Sequence, residues 1–134
     1  MVSRYLLAIF GTALVLACSK DAEKPEPGLF QWAIAVPLDS TKINAGDTLF
    51  IQAQLSVENG PVDYSISVRE AQYDTLVANI LDEFSFEKTV EVETFWISQA
   101  KGHADYHLVF NADKQKGQII EKRIPFHVHP LDGH

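Results

Sequence analysis

The stretch Val62-Asp63-Tyr64-Ser65-Ile66-Ser67-Val68-Arg69 alternates apolar and polar residues without a break. Successive side chains of a strand point to opposite faces. The pattern therefore sends Val62, Tyr64, Ile66 and Val68 to a core and Asp63, Ser65, Ser67 and Arg69 to water. The same period of two extends in both directions from this segment. Upstream, Leu49, Ile51, Ala53, Leu55 and Val57 form an inward set against Gln52, Gln54 and Ser56, and Glu58-Asn59-Gly60-Pro61 breaks the run. Further upstream, Phe30, Trp32, Ile34 and Val36 share a face. Downstream, Thr75–Leu81 predicts a short strand followed by a loop. Phe84–Thr94 predicts another strand, bent or bulged where Lys88 interrupts the apolar side. Tyr106, Leu108, Phe110 and Ala112 mark the next. The loop 113–117 then returns the chain into Ile120, Ile124, Phe126 and Val128. No segment carries a sustained helical period. About seven short strands with turns every ~8–12 residues predict an all-β fold, a single antiparallel immunoglobulin-like β-sandwich over residues 29–130.

Within that pattern, Gly46-Asp47-Thr48-Leu49 resembles the second-strand opening of immunoglobulin-like domains. Gly102-His103-Ala104-Asp105-Tyr106 through Asp113 resembles their penultimate strand, in which a tyrosine near the start locks a corner by bonding to backbone. Together with the N-terminal motif described next, these segments resemble domain-of-unknown-function family 4625, small Ig-like lipoproteins found mainly in the Bacteroidota. The resemblance spans roughly Pro37 to Pro130. It implies the fold and an envelope location and brings no assigned activity.

The N-terminus gives an address. Arg4 precedes the apolar run Tyr5–Ala17, and Cys18 follows it directly. Its 13 residues are fewer than the ~20 a bilayer-spanning helix needs and suit the core of a signal peptide. Val15-Leu16-Ala17-Cys18 resembles the lipobox of bacterial lipoproteins, whose cysteine becomes the acylated first residue of the mature chain. Cys18 is the single cysteine, so it has no disulfide partner, and lipidation accounts for it. Residues 1–17 then form a lipoprotein signal peptide. Residues 18–28, Cys18 and the polar, proline-bearing run to Gly28, form a flexible tether, and 131–134 form a C-terminal tail. Asp does not follow Cys18, and Ser19-Lys20-Asp21 is similar to the export signal of surface lipoproteins in the Bacteroidota. The expected location is the outer membrane, facing the periplasm or the cell surface.

Removing residues 1–17 leaves ten basic against eighteen acidic residues, a mature charge of −8 from the full chain's −7. Without a cluster of lysines and arginines, such a chain lacks the electrostatic footprint of nucleic-acid binding. The membrane is reached through the lipid, and the soluble domain is expected to be monomeric. No G-x-S-x-G elbow, P-loop, dinucleotide-binding glycine turn or H-E-x-x-H motif occurs, so an enzyme is not expected. Asp82-Glu83 and the stripe Glu87, Glu91 and Glu93 lack the close spacing and glycine bend of a calcium loop. They read as wet strand faces.

The histidines carry the sharpest signal. All five, His103, His107, His127, His129 and His134, fall within the last 32 residues. His127 and His129 share the outward face of the last strand, ~6.5 Å apart, while Phe126 and Val128 fill the inward face. If Lys114 pairs with Gln118 across the hairpin, Asp105 faces His127 and His103 faces His129. A register shifted by two sets His103 against His127, and any odd register is excluded by the burial pattern. The candidate metal ligands are therefore His103, Asp105, His127 and His129, with His107 in reserve. Imidazoles with a carboxylate suit Zn²⁺, and imidazole-rich sites also suit Cu²⁺ or Ni²⁺.

Trp32, Trp96, Phe95, Tyr73 and Phe50 raise a third possibility, a sugar-stacking platform. Patterning sends Trp32 to the core and half-buries Trp96, which leaves Phe50 the better surface contact. The leading expectation is a lipid-anchored, non-enzymatic binding or accessory module. The alternatives are a Zn- or Cu-binding lipoprotein and a glycan-binding module.

Overall fold

A computed structural model describes residues 30–115 and 117–130. The signal peptide, Cys18, the tether, and the tail with His134 lie outside the described residues. Eight strands form in chain order: β1 (Gln31–Val36), β2 (Thr41–Asn44), β3 (Thr48–Ser56), β4 (Val62–Glu70), β5 (Leu76–Ser85), β6 (Thr89–Ile97), β7 (Ala104–Asp113) and β8 (Ile119–His129). They make two sheets, β1-β3-β6 and β2-β8-β7-β4-β5. Strand order and the packing of the two inner faces are those of an immunoglobulin- or fibronectin-III-type sandwich. Among the described residues no helix is long and apolar enough to cross a membrane.

The alternation identified in the sequence is the core. Leu49, Ile51, Ala53, Leu55 and Val57 from one sheet meet Val62, Ile66, Val68, Leu108, Phe110, Ala112, Ile124, Phe126 and Val128 from the other, all buried. Two aromatic groups occupy the gap between the sheets. Trp32 meets Phe110 edge-on at 5.3 Å between ring centroids. Trp96 meets Tyr106 at 5.7 Å and Phe126 at 5.9 Å. The Tyr106 ring is thus positioned by packing, and among the described residues its hydroxyl makes no hydrogen bond to backbone. Burial, helped by the Glu70 carboxylate, pushes its phenol upward.

Two features differ from the sequence expectation. First, Thr75–Leu81 does not end in a loop, because β5 runs on to Ser85. The chain then crosses to the other sheet at Phe86–Lys88. Lys88 breaks the apolar pattern because its backbone leaves one sheet for the other, where its carbonyl accepts from Val57 N–H at 2.7 Å. The register irregularities lie instead where β5 pairs with β4, between Ile66 and Ser67 and between Val68 and Arg69, and where β1 pairs with β3, between Ile34 and Val36. Second, β2 adds an eighth strand, and it pairs parallel with β8 from Thr41↔Phe126 to Asn44↔His129.

The turn after β2 depends on Gly46, whose φ of +87° lies in the left-handed region. Its N–H donates to Ser98 carbonyl at 2.8 Å, and Ala45 N–H donates to His129 carbonyl at 2.7 Å. A Cβ at Gly46 would meet nothing within 4 Å, so the cost of substitution is conformational. Gly46→Ala is expected to destabilise by ~1–2 kcal/mol, read as a lowered urea midpoint with an unchanged m-value.

Candidate metal centre

The last strand holds the site rigidly. β8 is interior, paired antiparallel with β7 and parallel with β2, so His127 and His129 are anchored on both sides by backbone. The hairpin closes with Lys114 N–H donating to Gln118 carbonyl at 2.9 Å. That register sets Asp105 opposite His127 and brings His103, one residue before β7, beside His129. Of the two even registers the sequence allowed, this is the one adopted.

Three imidazoles converge. His103 Nδ1 stands 3.3 Å from His127 Nε2 and 3.2 Å from His129 Nδ1. All three ligand atoms lie within 4.8 Å of one another. Two nitrogens on a tetrahedral Zn²⁺, each at ~2.0–2.1 Å, are ~3.3–3.4 Å apart. The two short contacts match that spacing. His103 is exposed, while His127 and His129 are half-buried.

Asp105 takes a different position from the one expected of a ligand. Its Oδ1 lies 2.6 Å from His127 Nδ1, the ring nitrogen facing away from the cluster. An ionised carboxylate only accepts, so His127 Nδ1 carries the proton and Nε2 presents a lone pair to the other two rings. Asp105 therefore fixes the tautomer that can bind a cation, as the outer partner of a metal-bound histidine does. His129 is held below the ordinary histidine value, first by desolvation and then by the neighbouring His127, His103 and Lys42. Its nitrogen is accordingly available as a ligand near neutral pH. His103 Nδ1 faces both other nitrogens, so a cation can sit where the three converge.

His107 does not join the cluster. It lies further along β7, opposite Pro125 and Arg69. Beyond it Arg123 forms an ion pair with Asp74 at 2.8 Å and another with Glu121 at 2.9 Å. The acidic residues do not gather either. Asp82 and Glu83 lie on β5, whereas Glu91 and Glu93 lie on β6 in the other sheet, where Glu93 accepts from Gln52 Nε2 at 3.1 Å. Among the described residues, His103, His127 and His129 are the group able to hold a metal ion.

The aromatic candidates are dispersed. Trp32 is buried and Trp96 half-buried between the sheets. Tyr73 is exposed on the β4–β5 turn. Phe50 and Phe95 are exposed cross-strand neighbours on the three-stranded sheet, on the opposite side of the sandwich from the histidines. The role of Asp105 could not be read from spacing alone, because it depends on which nitrogen of His127 faces it.

No family model matches the chain, and no curated protein does. Among solved structures, the chain is similar to the fibronectin(III)-like modules of Clostridium thermocellum CbhA. That match has 21% identity and a TM-score of 0.49, covering 74% of this chain and 96% of that one. It is also similar to a structure of Dpr1 IG1 bound to DIP-eta IG1. There the identity is 14% and the TM-score 0.39, covering 77% of this chain and 98% of that one.

Proposed function

We propose that this chain is a binding module for a divalent transition metal, carried at the outer membrane on a lipidated Cys18. The observation that carries the reading is the convergence of three imidazole nitrogens at 3.2–3.3 Å contacts, two of them on a strand paired along both edges and the third just before its neighbour β7. Three supports add to it. Asp105 sets the His127 tautomer, desolvation and the neighbouring His127, His103 and Lys42 hold His129 below the usual histidine value, and the donor set suits Zn²⁺ or Cu²⁺. The lipobox resemblance at Val15–Cys18 supports the anchor. The role is capture or delivery of metal within the envelope.

Calorimetric titration of Zn²⁺ and Cu²⁺ into the purified protein, beside a His127→Ala/His129→Ala variant, tests the reading. The expected result is one ion per chain with sub-micromolar affinity, reduced at least 100-fold in the variant. An affinity that survives the double substitution overturns it. Metabolic labelling with a fatty acid, lost on Cys18→Ser, tests the anchor separately.

A further inference from the structure

The outermost strands of the two sheets are not equally protected. β2 has four residues, β1 has six and slips register between Ile34 and Val36, and β5 slips twice against β4. Short strands and irregular register blunt an edge against pairing with another chain. β6 has neither device. It pairs with β3 in nine unbroken steps, from Thr48↔Ile97 to Ser56↔Thr89, and it holds no lysine or proline. Its other side has no strand partner among the described residues.

The next step of the same register shows which backbone groups face outward. There Val57 N–H donates to Lys88 carbonyl at 2.7 Å. Antiparallel ladders alternate between bonded and non-bonded pairs, so Val90, Val92, Thr94 and Trp96 turn their backbone groups toward β3. Glu91, Glu93, Phe95 and Ile97 turn theirs away from it. Among the described residues no further backbone hydrogen bond engages these four.

The side chains define what can pair there. β1 and β3 carry no charged residue, so Glu91 and Glu93 are the charges of the whole three-stranded sheet. Both are exposed, and Gln52 Nε2 donates to the Glu93 carboxylate at 3.1 Å. Just before the strand, Glu87 and Lys88 balance each other. Further along the same face come Phe95, the cross-strand neighbour of Phe50, and Ile97, all three exposed. An antiparallel strand complements this edge with basic residues opposite the two glutamates and β-branched residues opposite Phe95 and Ile97. A second copy of β6 brings two more carboxylates and no base, so it cannot supply that complement.

We propose that β6 is a docking edge for an extended basic peptide, which adds a fourth, antiparallel strand to the three-stranded sheet. Main-chain hydrogen bonds supply the attachment, and the pair Glu91 and Glu93 selects for cationic side chains. The proposal is independent of the metal reading, because the edge belongs to the sheet opposite the histidines.

The probe is a fluorescent peptide, Val-Thr-Val-Thr-Lys-Val-Lys-Val-Thr, whose lysines fall opposite Glu93 and Glu91. Titrated with the full chain, it is expected to bind saturably, at least tenfold more tightly than the same peptide with glutamate for both lysines. The preference should weaken as salt is raised and reverse in Glu91→Lys/Glu93→Lys. N-methylation of the two lysine amides, which point at β6, should abolish binding. N-methylation of the residues flanking them, whose amides point away, should not. His127→Ala/His129→Ala should leave the affinity within about twofold, whether or not the metal reading holds. Equal affinity for the two peptides, or a preference unchanged by the charge reversal, overturns the proposal. Binding that appears only after residues 19–28 are deleted assigns the edge to the chain's own segment and also overturns it. So does a dimer in sedimentation that Glu91→Lys/Glu93→Lys alters, since a second copy then takes the edge.

Discussion

Saturating Zn²⁺ is expected to raise the thermal midpoint of the folded domain by at least ~10 °C, and the rise should vanish in His127→Ala/His129→Ala. A ligand that binds only the folded state at 1,000 times its Kd stabilises by ~4 kcal/mol. For a domain of about a hundred residues each kcal/mol moves the midpoint by ~4–8 °C. The unfolded chain keeps the His127-x-His129 pair but separates His103 from it by 24 residues. It therefore binds the ion more weakly and lowers the gain below the full value. Scanning calorimetry with and without the metal measures the shift. A rise of the same size in the double variant would place the ion elsewhere.

The same experiment has a pH signature. Zinc must displace protons from imidazole, so the metal-induced shift should shrink as pH falls through the ordinary histidine range near ~6.5. Desolvation, with His127, His103 and Lys42, lowers His129 below its usual value. The folded metal-free protein thus holds fewer protons at His129 than the unfolded chain does in that range. Stability without metal should accordingly decline as pH drops through the unfolded value, and is unaffected by His129 well above it.

Phe110→Ala is expected to cost ~3–5 kcal/mol, the range for truncating a large buried aromatic. The side chain is fully buried at the centre of β7 and meets Trp32 edge-on at 5.3 Å. Trp32 is itself buried, and its indole N–H has no partner among the described residues. Its place therefore depends on ring packing, which the substitution removes. A domain of this size has ~5–15 kcal/mol of total stability, so the variant should unfold at a much lower urea concentration. A loss below ~1 kcal/mol would mean that the two sheets do not close on Phe110.

Much of this architecture was legible because its cause is local. Leu49 to Val57 and Val62 to Val68 place an apolar residue at every second position, so each strand declares its buried face. In the last hairpin, parity and the Lys114–Gln118 closure together limited the register to two choices, and one of them is observed. That is why His103, His127 and His129 could be assembled from spacing. Other features depend on distant partners. β2 is four residues with a single apolar side chain, Ile43, and it exists because β8 offers an edge far along the sequence. Phe84 and Phe86 look like the start of the next strand, yet both are exposed and meet each other at 4.9 Å. The chain changes sheets immediately after them, which alternation cannot signal.

The parallel pairing of β2 with β8 also has a mechanical consequence. Near the start of the described chain β2 runs alongside the strand that ends it, in four consecutive pairs. Tension drawing residue 30 away from residue 130 slides these two strands lengthwise instead of peeling them apart. In that shearing geometry the rungs between Thr41 and Asn44 carry load together, whereas an antiparallel pair opened from its end yields one rung at a time. Under such a pull this short strand is a strap that resists extension of the described domain.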